Sequence, residues 1–150
     1  MEKKRTPKKV FMEGPISASF IADSIAKHQT QTQIGAHAIF LGQIRADIKP
    51  EGVVTAIAYS AYEPMAEQVF HRIREEAFSR FELTCMHIYH SLGVVPVGEV
   101  SLFVFVSSPH RKPTFEALEF LVEAIKAEVP IFGKELLGEE GSYIWKENRS

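Results

Sequence analysis

Val100-Ser101-Leu102-Phe103-Val104-Phe105-Val106-Ser107, running on into Ser108-Pro109-His110-Arg111-Lys112-Pro113-Thr114, is the stretch on which the fold turns. Its first half is a nearly continuous apolar run, the clearest strand in the chain. Its second half is polar and opens a long helix expected over residues 113–129. In that helix Phe115, Leu118, Leu121, Val122 and Ile125 form the apolar stripe. Pro130 stops it, because proline has no N–H to continue the ladder.

The same reading extends outward in both directions. Upstream, residues 84–92 read as a strand ended by Gly93, and Pro96 and Gly98 as a turn. Before them Pro64 opens an amphipathic helix with Met65, Val69, Phe70, Ile73, Ala77 and Phe81 on one face. Arg72, Arg74 and Arg80 fall on a helix face expected to be solvated. Residues 53–62 and 35–44 read as strands, with residues 45–52, holding Pro50 and Gly52, as a loop between them. Residues 16–26 read as a first helix behind Pro15, with Ile16, Phe20, Ile21 and Ile25 on one side. Downstream, Lys134 lies on a loop after Pro130, and a short strand is expected around residues 143–146. Strands joined by short links and interleaved with helices favour an α+β domain with a largely antiparallel sheet.

Composition sets the outer limits. The chain has 150 residues, 45% hydrophobic and 24% charged, the balance of one globular domain with a real core. Residues 1–9 hold five basic side chains against Glu2 and read as a basic flexible tail; residues 10–150 read as one domain. The other 141 residues carry 12 basic and 18 acidic side chains, so the net charge of -2 hides an acidic body at -6. Cys85 is the single cysteine, which excludes an internal disulfide and suits a reducing cytoplasm. There is no apolar run long enough to span a membrane and no apolar stretch behind the basic start that reads as a signal peptide. The tail raises nucleic-acid binding as a reading; the acidic body argues against it.

Three places carry candidate chemistry. His110, Arg111 and Lys112 sit at a helix N-terminus, where cations oppose the helix dipole unless an anion sits there too. A surface turn with incidental charges is the other reading, and the residues alone do not separate the two. Arg45 follows a strand directly, at the mouth of a loop. Lys126 lies in the last helical turn; it complements the dipole there, and apolar surroundings would also depress its pKa. The histidines are scattered without metal-ligand spacing, so no metal site is expected. Cys85 reads as a buried, inert thiol. There is no Walker loop, no dinucleotide fingerprint and no nucleophile elbow.

Taken in order, the segments resemble the MoaE family, the large catalytic subunit of molybdopterin synthase. The matching pieces are Gly35-Ala36-His37-Ala38-Ile39-Phe40-Leu41-Gly42-Gln43-Ile44-Arg45, Tyr62-Glu63-Pro64-Met65-Ala66 and Ile88-Tyr89-His90-Ser91-Leu92-Gly93. They continue with Val97-Gly98-Glu99, Ser107-Ser108-Pro109-His110-Arg111, Ile125-Lys126-Ala127-Glu128-Val129-Pro130-Ile131-Phe132 and Trp145-Lys146-Glu147-Asn148. The resemblance implies an α/β hammerhead fold and conversion of cyclic pyranopterin monophosphate to molybdopterin by sulfur transfer. The sulfur would come from the thiocarboxylated C-terminal Gly-Gly of a small ubiquitin-like carrier subunit. It further implies a homodimer within a heterotetramer, with no metal or organic cofactor. Its site residues map onto Arg45, His110, Arg111 and Lys126, with Arg149 a looser match. By residue type Arg45, His110, Arg111 and Arg149 would bind substrate, and Lys126 and His110 would act in catalysis. The chain departs from the pattern at one point. The family places two basic residues after Pro-Ile-aromatic, the first a site lysine; here Gly133 stands at that position and Lys134 at the next. Lys134 is therefore a catalytic candidate if glycine lets it swing in, and a carrier-binding scaffold without turnover is the alternative function.

Overall fold

The computed structural model describes residues 8–138 and 142–146. Residues 1–7 of the basic tail, and Arg149, lie outside the described residues. The elements are β1 (Phe11–Glu13), α1 (Ala18–His28), β2 (Ala36–Gln43), β3 (Ile48–Lys49), β4 (Gly52–Ala61) and α2 (Glu63–Arg80). They continue with β5 (Cys85–Pro96), β6 (Val100–Ser108), α3 (Arg111–Glu128), β7 (Ile131–Leu137) and β8 (Tyr143–Trp145). The fold is α+β. The strands form one eight-stranded sheet in the order β2-β6-β5-β4-β7-β8, with β1 beside β5 and β3 beside β4. Every strand pair is antiparallel except β1 with β5.

The apolar run of β6 is explained by what covers it. Leu102, Val104 and Val106 face one way, into a core shared with Phe70, Ile73 and Ala77 of α2 and Leu121 and Ile125 of α3. Phe103 and Phe105 face the other way, where Phe20, Ile21 and Ile25 of α1 pack on them. A strand covered on both faces has no solvent side to be polar on. Ser17 caps α1, its hydroxyl accepting from the Phe20 N–H at 3.1 Å.

β5 holds the two halves of the sheet together. Residues from Cys85 to His90 pair with β6, and residues from Gly93 to Pro96 pair with β4. Between them Gly93 takes a φ of +82°, which lets the strand bend where an L side chain is disfavoured. The strand therefore runs through Gly93 instead of stopping there, and only turns at Gly98. The far half, with β4, β7 and β8, has a small core of its own from Ile57, Val95 and Leu137.

Three further expectations change. Residues 131–137 form β7, not a loop: Gly133, Glu135 and Leu137 are buried while Lys134 and Leu136 face the other side. The segment at 45–52 includes the two-residue strand β3, paired with β4. Arg74 is not solvated; it is 5% exposed and donates to the Met86 carbonyl at 3.1 Å. Arg72 and Arg80 do lie at the surface, in ion pairs with Glu128 and Glu76.

Candidate active site

An open cleft lies where the two halves of the sheet meet the C-terminal end of α3. Each wall follows from an element end. Arg45 enters just past β2, Lys126 comes from the last turn of α3, Tyr59 and His90 rise from β4 and β5, and Glu135 comes from β7. Lys146, one residue past β8, completes the lining. Element ends suit this task because their side chains reach a cavity that rigid strands and helices surround.

The charges in the cleft are few and close. The side chain of Arg45 is 80% exposed, and Nε lies 3.3 Å from Asp47 Oδ1, which aims the guanidinium along the rim. Lys126 is half-buried, and its pKa is lowered, first by burial and then by the positive charges of Lys146 and Arg45; Glu123 opposes. His90 is 8% exposed. Its Nδ1–H donates to the Ser91 carbonyl at 2.8 Å, and its ring meets Tyr59 edge-on at 5.0 Å. Burial, helped by Lys126 and Lys146, lowers its pKa to about 4, so it is neutral at physiological pH. Tyr59 shifts the other way, raised chiefly by burial, with its hydroxyl 3.3 Å from Ser101 Oγ. Arg45, Lys126 and Lys146 bring positive charge to the cleft, and Asp47 and Glu135 bring carboxyl groups, Glu135 from its buried floor.

The expected residues divide into two groups. Arg45 and Lys126 meet in the cleft. His110 and Arg111 do not: they begin α3 and Lys126 ends it. At 1.5 Å per residue the two ends lie about 22 Å apart. His110 is the N-cap, Arg111 and Lys112 fill the first turn, all three are exposed, and the first turn holds no acidic residue. The three cationic residues thus do share one helix start, but at a distance from Lys126 within one chain. Lys134 does not line the cleft, because strand alternation sends Gly133 and Glu135 inward and Lys134 outward. Its ammonium sits 4.6 Å from the centre of the Tyr143 ring and 5.4 Å from that of Trp145, a cation–π seat on the opposite face. Lys134 swinging inward is corrected on that ground.

The cleft also holds Tyr59, His90, Glu135 and Lys146, none of them a candidate from sequence. The signal for Lys146 was Gly133. The Lys146 N–H donates to the Gly133 carbonyl at 2.7 Å, so the two are cross-strand neighbours.

The histidines are not scattered in space. Nε2 of His28 lies 2.9 Å from Nε2 of His87, and Cys85 stands two residues before His87 on the same face of β5. The expectation of no ligand cluster rested on sequence spacing alone. The folded chain brings α1 and β5 together, on the face of β5 away from the cleft.

Comparisons with known proteins bear on all of this. A family profile described as MoaE protein matches residues 13–128. The chain belongs to the MoaE family. It is 41% identical over 117 residues to the molybdopterin synthase catalytic subunit 2 of Aedes aegypti, covering 77% of this chain and 75% of that protein. The solved molybdopterin synthase of Staphylococcus aureus superposes with a TM-score of 0.77 at 28% identity, covering 92% of this chain and 96% of that one. The fold is also that of a Helicobacter pylori complex between subunits 1 and 2 of molybdopterin-converting factor. There the TM-score is 0.78 at 20% identity, covering 94% of this chain and 91% of that one. The role that goes with this MoaE membership is catalysis within molybdopterin synthase, and the chain is an enzyme of molybdopterin biosynthesis. Among the described residues, no helix is long and apolar enough to cross a membrane.

Proposed function

We propose that this chain transfers sulfur from the thiocarboxylated C-terminus of a small carrier protein to cyclic pyranopterin monophosphate, forming the dithiolene of molybdopterin. The observation that carries the reading is the convergence of Arg45 and half-buried Lys126 on one open cleft. Once the thiocarboxylate sulfur has bonded to a pterin carbon, water adds to the acyl carbon, and the tetrahedral oxyanion so formed breaks its C–S bond, leaving sulfur on the pterin and the carrier as a carboxylate. An ammonium fixed beside that carbon stabilises the charge as it develops. Lys126 suits the task because burial and neighbouring cations ease the loss of its proton. Arg45 offers paired N–H donors to phosphate oxygens.

His110 and Arg111 enter this reading from a second copy of the chain. Their separation of about 22 Å from Lys126 along α3 is too great for one small substrate. A two-fold dimer brings the helix start of one copy to the cleft of the other, and isologous pairing repeats the arrangement twice. The carrier is the further partner; the Helicobacter pylori structure, a two-subunit complex, is a precedent for the fold. The free thiol of Cys85 is compatible with a reducing cytoplasm as the site of the reaction.

Gly133 favours a second reading, a scaffold that binds the carrier without turnover. One experiment separates the two. Purified chain, thiocarboxylated carrier and the cyclic pterin are mixed and the dithiolene product is measured. Product formation that Lys126→Ala abolishes supports catalysis. Carrier binding without product supports the scaffold.

A further inference from the structure

Gly133 and Lys146 form a pair across the β7–β8 ladder. In β8, Trp145 stands opposite Lys134, and the ladder continues one residue further through the bond from the Lys146 N–H to the Gly133 carbonyl. The cleft floor cannot hold a side chain at 133 without displacement. A Cβ there would fall 3.0 Å from Ile57 Cγ2 and 3.4 Å from Tyr59 Cε1. Lys146 meets no such obstacle, and it lines the same cleft as Lys126 and Arg45. We propose that Lys146 supplies the second ammonium of this cleft, reaching over Gly133 from the neighbouring strand to bind the anionic groups of substrate beside Lys126. This rests on the reading of the cleft as the substrate site.

The electrostatics agree. Lys146 is among the groups that lower the pKa values of both Lys126 and His90, so its charge is felt at the cleft floor. Removing it has two consequences. Substrate loses a charge-assisted contact, which at an open rim is worth about tenfold in KM. Lys126 also loses a repelling neighbour, so its pKa rises and the pH–rate profile moves to higher pH.

The test compares Lys146→Ala, Lys146→Arg and Lys126→Ala in the reconstituted assay, with thermal melts alongside. Lys146→Ala should raise KM for the cyclic pterin about tenfold and shift the pH profile upward, while Lys146→Arg should restore KM to within about threefold. Lys146→Ala behaving as wild type while Lys126→Ala abolishes product overturns the role of Lys146 and leaves the cleft assignment standing. Both variants behaving as wild type overturns the cleft assignment itself. If Lys146→Ala melts early, the arginine variant decides: an unshifted pH profile with wild-type KM supports a charge role, and a tenfold KM defect overturns it.

The face of β5 away from the cleft carries a second, independent inference. The ligand atoms of His28, Cys85 and His87 all lie within 4.8 Å of one another. Tetrahedral zinc, with bonds of about 2.0–2.3 Å, sets its ligand atoms roughly 3.3–3.8 Å apart, so small side-chain rotations close the set. His28 is already oriented: Nδ1–H donates to the Ser24 carbonyl at 2.7 Å, which leaves the Nε2 lone pair facing His87. A ring N–H anchored on a backbone carbonyl is the usual support of a metal-binding histidine. The geometry points to a site for a borderline-soft divalent cation of the zinc class, with one coordination position left for water or the Gln31 amide oxygen. Gln31 Oε1 already lies 3.6 Å from the Cys85 sulfur. On binding, the Cys85 thiol proton leaves to solvent and His87 moves its ring proton from Nε2 to Nδ1.

Cobalt(II) titration of the full chain, carrying no affinity tag, tests this. One ion per chain is expected, with a thiolate-to-cobalt charge-transfer band. Cys85→Ser should lose the band, and His87→Gln should weaken binding more than tenfold. Absence of the band in the wild type overturns the proposal, as does unchanged binding in both variants; the wild-type spectrum decides the matter if a variant fails to fold.

Discussion

His90 is expected to make the stability of this fold depend on pH, by an amount that follows from its burial. Its ring is buried between Tyr59 and Phe11, and Lys126 and Lys146 face it from α3 and the end of β8. Its folded pKa is about 4 against 6.5 unfolded. A base with a depressed pKa is neutral in the native state but takes up a proton when unfolded. The stability it retains is therefore whole above pH 6.5 and is lost as the pH falls through 6.5 toward 4. Linkage gives a loss of about 2 kcal/mol at pH 5, approaching about 3.4 kcal/mol below pH 4. For a chain of this size 2 kcal/mol at pH 5 is on the order of 4–8 °C in Tm.

The assay is urea unfolding of wild type and His90→Gln at pH 7, 6 and 5, at one fixed protein concentration because the chain is expected to dimerise. His37 and His87 are also lowered by burial and destabilise in the same direction on acidification. They are present in both proteins, so they cancel in the difference. The wild type should lose about 2 kcal/mol more than the variant between pH 7 and pH 5. Parallel pH dependences, within about 0.5 kcal/mol, would refute the burial of an uncharged His90 at the cleft floor.

Three other outcomes are expected. Lys126→Ala should lower single-turnover product formation by about 10²–10³-fold, the range for removing one oxyanion donor, with carrier binding intact by calorimetry. Mixing Lys126→Ala with a His110→Ala/Arg111→Ala variant should regain about a quarter of wild-type activity if sites are built from two copies, since random pairing makes half the dimers mixed and each mixed dimer has one complete site. A site contained in one chain would regain none. Gly133→Ala should destabilise the fold by about 1–3 kcal/mol through its 3.0 Å approach to Ile57, and in a double-mutant cycle Ile57→Ala should relieve part of that cost.

What could be read in the chain beforehand divides along physical lines. α2, α3 and β6 were legible because each buries one stripe, or both faces, in a single apolar core, and periodicity records that directly. β7 was not. Its inward positions are Gly133, Glu135 and Leu137, and a glycine and a carboxylate at buried positions erase the alternation that marks a strand. The same erasure hid the site. At Gly133 a Cβ would press on Ile57, and Glu135 lines the cleft. Local rules thus failed at the cleft wall, where positions serve a ligand and not the core. Arg45 and Lys126 escaped this loss because they sit at element ends, where a charged side chain is conspicuous. Lys146 did not, because its meaning depends on Gly133, thirteen residues earlier and visible as its neighbour only once β7 and β8 are paired. The glycine that first suggested a missing function is, on this geometry, the gap across which the second lysine reaches.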